Sequence, residues 1–61
     1  MLKKDVDTLK SLIHEYGPEE AVLGLIMALR SSANEMSDMA LKEKAVLTAN
    51  IADDLIDMMT S

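Results

Sequence analysis

The segment 41–59, LKEKAVLTANIADDLIDMM, carries two apolar series where a surface helix needs one. Ala45, Ala49, Ala52, Ile56 and Met59 recur at spacings of four and three. Leu47, Ile51, Leu55 and Met58 form a second series beside them. At about 100° per residue the two series together exceed the roughly 100° stripe that covers one core. Surplus apolar area on a short helix is most often covered by another chain.

Working outward, the chain has 61 residues, enough for one helical domain over 1–61. A chain of about 60 residues buries only about 60% of its unfolded surface. Disulfides, a metal or oligomerisation usually supply the remaining stability. There are no cysteines and one histidine, His14, which removes disulfides and makes a structural zinc site improbable. Oligomerisation remains. Ala, Leu and six Met supply the apolar content, with a single aromatic residue, Tyr16. This balance predicts an all-α fold. The expected architecture is a three-helix protomer, a helical hairpin-type bundle, assembling into a homo-oligomeric helical bundle.

The clearest boundary is Tyr16-Gly17-Pro18-Glu19-Glu20. Glycine can take the left-handed conformation that ends a helix, and proline suits the first position of the next. Glu20 is then placed to reach back to the Gly17 amide, as in a capping box. The first helix is predicted at about 3–15, with Leu2, Val6, Leu9, Ile13 and Tyr16 on one face and Leu12 at its edge. The second is predicted at about 18–37. Val22, Leu25, Ile26, Leu29, Ala33 and Met36 form its main stripe, and Leu23 and Met27 lie off it beside Arg30 and Asn34. Gly24, Ala28 and Ser32 form a row that lets another helix approach closely. The third is predicted at about 41–60 after a turn at Asp38 to Ala40. No Gly or Pro marks that turn. A longer loop at Ser31 to Asn34, or one bent helix in place of two, stays open.

The Tyr16-Gly17-Pro18-Glu19 motif, the Ala-Val-Leu run after it, and Arg30, Ala33 and Asn34-Glu35 before a charged turn resemble a loose group of short helical proteins from bacteria and their phages. Similar sequences often hold glycine near position 40, where this chain has alanine. The resemblance implies the three-helix parse and carries no activity.

The net charge is −5. An acidic chain with one aromatic side chain is a poor ligand for nucleic acid. The longest apolar run, Ala21 to Leu29, is too short to span a membrane. Asp5 and Asp7 interrupt any signal-like start, so the expected location is the cytoplasm. No nucleophile has a base at a readable spacing, and no phosphate-binding glycine loop occurs. No enzyme, cofactor, catalytic residue or metal ligand is expected. His14, at the end of the first helix, suits the negative end of that helix dipole.

The acidic cluster Asp53, Asp54 and Asp57 lies where the dipole of the third helix is negative. It reads first as a solvated face. The sharper reading pairs it with Lys3, Lys4 or Lys10 of another chain. The six methionines read mainly as core filling, and Met27 and Met58, off the main stripes, are the better interface candidates.

The partner expected first is the chain itself, as a homodimer joined through the third helix and helped by one edge of the second. The candidate interface is Leu23, Met27, Leu47, Ile51, Leu55 and Met58. Another protein could occupy the same kind of groove. The functional expectation is a small homo-oligomeric helical interaction or regulatory module. The alternative is an acidic accessory protein that blocks a basic, nucleic-acid-binding surface of a partner. Residues 1–17 are neutral and the −5 lies on the rest of the chain, which separates the two only weakly.

Overall fold

A computed structural model describes residues 1–60. Three helices follow in order: α1 (Lys3–Tyr16), α2 (Pro18–Glu35) and α3 (Met39–Thr60). All three expected helices form, and the two turns between them set their arrangement.

Gly17 ends α1 and starts α2 as a single residue. Its amide donates to the Ile13 carbonyl at 2.8 Å, and its carbonyl accepts from the Ala21 amide at 3.1 Å. Its φ of 89° and ψ of 160° lie outside the left-handed helical well. They fall in the positive-φ extended region, which is essentially reserved for glycine. The expected left-handed cap is therefore replaced by a sharper corner. The Glu20 box does not form, because the Gly17 amide is already engaged by Ile13. Pro18 takes the first helical position, where no donor is lost.

The second turn comes two residues earlier than expected. Asp38 Oδ1 accepts from the amides of Ala40 at 3.0 Å and Leu41 at 3.2 Å. The Asp38 carbonyl accepts from Lys42 at 2.9 Å. This is an N-cap, and it starts α3 at Met39. Upstream, Met36 leaves α2 in an extended conformation, φ −80° and ψ 134°. No positive φ is needed there, which is why the turn needs no glycine. The long-loop and bent-helix alternatives are both replaced by this short connection.

The helices run antiparallel in sequence, and α2 lies between the other two. It packs on α1 and on α3, whereas α1 and α3 nowhere approach within 8 Å of each other (Cα to Cα). The expected hairpin-type bundle is thus an open one, in which only α2 joins the other two helices, with extents of 34 × 33 × 15 Å. The radius of gyration is 12.7 Å, against about 10.5 Å for a compact chain of this length.

The buried core is Ile26 on α2 with Ala33, Ala45 and Ala49, all in the α2–α3 seam. Ala49 is fully buried, at 0% exposure, and the alanines let the two helices approach closely. Leu29, Met36, Ala52 and Ile56 are half-buried around them. Helix α1 buries no residue at all. With α1 and α3 apart, the protomer's core stays open on one side.

Candidate protein interaction surface

The α2–α3 seam has two unlike flanks. On one, the Arg30 guanidinium Nη2 donates to Asn50 Oδ1 at 3.2 Å and to Asp53 Oδ2 at 3.3 Å. Among the described residues this Arg30–Asp53 contact is the only ion pair. Both side chains stay over 40% exposed, so the pair is worth about 0.2–1 kcal/mol. Asp53 turns onto its own chain, leaving Asp54 and Asp57 outside the pair.

The other flank is apolar. Val22 and Pro18 of α2 line a groove with Leu55, Ile56 and Met59 of α3. Val22 also lines a second groove, with Leu25 of α2 and Leu9, Leu12 and Ile13 of α1. Because Val22 belongs to both, the two grooves form one trough, floored by α2 and walled by α1 and α3. Val22 and Leu25 were expected in the core of the second helix. They are instead exposed, because α1 and α3 stand too far apart to close over them.

The outer edge of α3 continues this apolar surface. Leu47, Ile51 and Leu55 recur every four residues, about 130° round the helix from the Ala45–Ala49 line. They are 52%, 61% and 54% exposed, and Met58 is more so. These four residues of the expected interface therefore lie together on the open side of α3. Leu23 and Met27 are also exposed. Their register on α2 places them on the Arg30 flank of the seam, away from the trough. One flat contact cannot use both groups.

The small-residue row takes no helix. Gly24 and Ala28 line the outer side of the α1–α2 junction with Leu12 and Tyr16. A Cβ built on Gly24 would meet nothing within 4 Å. His14 lies in the exposed last turn of α1. Among the described residues, no group of three His, Cys, Asp or Glu side chains could hold a metal ion, and no helix is long and apolar enough to cross a membrane.

The total accessible surface is 5004 Å². A compact monomer of 6.7 kDa exposes about 3,900 Å². The protomer therefore carries about 1,100 Å² more surface than its mass requires, and a standard interface covers about 800 Å² per partner.

Two features escaped the sequence reading. Arg30 could have been matched to Asn50 and Asp53 from their spacing of three beside the alanine series. The trough could not, because periodicity reports which residues share a face and not whether two neighbouring helices meet.

Comparison with known proteins yields no matching family model, no matching curated protein and no matching solved structure.

Proposed function

We propose that this chain is a homo-oligomeric helical interaction module, a dimer in its simplest form, that works by presenting and covering helix faces. The surplus of exposed apolar surface supports this reading above all else. A core of one isoleucine and three alanines leaves the Leu47, Ile51 and Leu55 edge in water. Burying each such side chain contributes roughly 1.5–3 kcal/mol, and a two-fold doubles the gain. Rim charges are worth much less.

The acidic-mimic reading has weaker support. Asp53 is already held by Arg30, and the remaining carboxylates are spread over all three helices rather than gathered as a phosphate-like row. Cytoplasmic residence and the absence of catalysis belong to the same proposal.

The test is Leu55→Asp. Its carboxylate would be buried and unpaired in the interface but solvated in a lone protomer. Sedimentation equilibrium should show the variant at the protomer mass while the parent associates. A variant that associates as the parent does removes this edge of α3 from the interface.

A further inference from the structure

We infer that Met58 and Met59 form an oxidation site that controls association. Each thioether takes one oxygen atom from a peroxide-class oxidant, and the resulting sulfoxides release the protomer. This rests on the homo-oligomer reading above and adds its regulation. Position singles out the pair. Met58 and Met59 follow Leu55 by three and four residues, so both are its neighbours on the surface of α3. Met59 also lines the groove with Val22, Leu55 and Ile56. A contact that covers Leu55 therefore reaches the last turn of α3 and takes in these side chains. The other methionines of the helices lie elsewhere. Met27 is on the Arg30 flank of the seam. Met39 opens α3, sixteen residues and about 24 Å from Leu55. Met36 is half-buried where α2 ends.

Exposure makes the pair reactive. Both side chains are 74% exposed, so an oxidant reaches each sulfur without any opening of the fold. A sulfur lone pair attacks one oxygen of hydrogen peroxide. The S–O bond forms, the O–O bond breaks, sulfur gives up two electrons, and the second peroxide oxygen leaves as water. The product replaces a flexible apolar group by a polar one. In a lone protomer the new S=O dipole is solvated. In an apolar contact beside Leu55 and Val22 it loses its water partners. Among the described residues, the one charged side chain lining that groove is Glu19, a carboxylate that accepts hydrogen bonds and does not donate them. The same contact shields the sulfurs. Association therefore slows oxidation, and oxidation opposes association.

Hydrogen peroxide applied to the full chain tests this, with sulfoxide located by peptide mass spectrometry and association read by sedimentation equilibrium. The parent's dimer constant should weaken at least about tenfold as Met58 and Met59 convert. Raising the protein concentration should slow conversion at Met58 and Met59 and leave the rate at Met27 unchanged. Met58→Leu with Met59→Leu keeps apolar volume and helix propensity, so this variant should associate as the parent does and keep that association after peroxide. Met27→Leu with Met39→Leu should stay as sensitive as the parent. The oxidised parent should match the far-UV circular dichroism of untreated parent diluted to the protomer mass. A lower helix content would mean that oxidation acts on the fold, and would overturn the site. So would an oxidised parent that still dimerises, or a Met58→Leu, Met59→Leu chain that peroxide still dissociates. In these cases the homo-oligomer stands. A parent that is a monomer before any oxidant is added overturns both.

Discussion

Arg30 reaches across the α2–α3 seam to Asp53, its Nη2 3.3 Å from Oδ2, and marks the polar side of an otherwise apolar joint. Asn50 shares the same donor at 3.2 Å. The contact fixes which side of the seam faces water and so which side is left for association. Arg30→Ala should lower stability by about 0.5–1 kcal/mol, with a coupling to Asp53→Ala below about 1 kcal/mol in a double-mutant cycle. Association should change little, since the pair lies away from the trough. A large loss of dimer in Arg30→Ala would place the interface on this flank.

The two glycines should respond in opposite directions. Gly17 sits at φ 89°, and Gly17→Ala should destabilise by about 1–3 kcal/mol, read as a fall in the thermal midpoint. Gly24 lies inside α2 with nothing within 4 Å of its missing Cβ, and Gly24→Ala should stabilise by about 0.5–1 kcal/mol. A destabilised Gly24→Ala would mean that something packs on that face in the assembled protein.

Asp38 caps α3 with two amide hydrogen bonds. Asp38→Ala should cost about 0.5–2 kcal/mol, and Asp38→Asn or Asp38→Ser should recover most of it. Denaturant midpoints for the three variants decide this.

Much of the fold was legible from residues. Gly17-Pro18 announces a corner because few other pairs both stop and start a helix. The Ala45, Ala49, Ala52 and Ile56 series identifies the face of α3 that meets α2. The excess apolar edge at Leu47, Ile51 and Leu55 is visible in the same segment. Three details were hidden. The Asp38 turn uses extended backbone at Met36, so no glycine signals it. Gly17 spends its amide on Ile13, so Glu20 has nothing to cap. The separation of α1 from α3 is a tertiary property, and it moves Val22 and Leu25 from the expected core to an open trough.

The seam itself should tolerate little. Ala49 is fully buried between two backbones, so Ala49→Leu should force the helices apart at about 1–3 kcal/mol. Ile26→Ala removes the one large side chain of the core, at about 2–5 kcal/mol. In a protomer with so small a core, either change should be visible as lost helicity at low concentration and partly recovered at high concentration, where association stabilises the fold by mass action.

The most direct measurement is the mass of the unmodified chain in solution across a concentration series, by sedimentation equilibrium. A protomer with this much uncovered apolar surface should weigh twice its 6.7 kDa at micromolar concentrations and above, dissociating only on dilution. A protein that stays at 6.7 kDa into the high micromolar range, fully helical, would contradict the account.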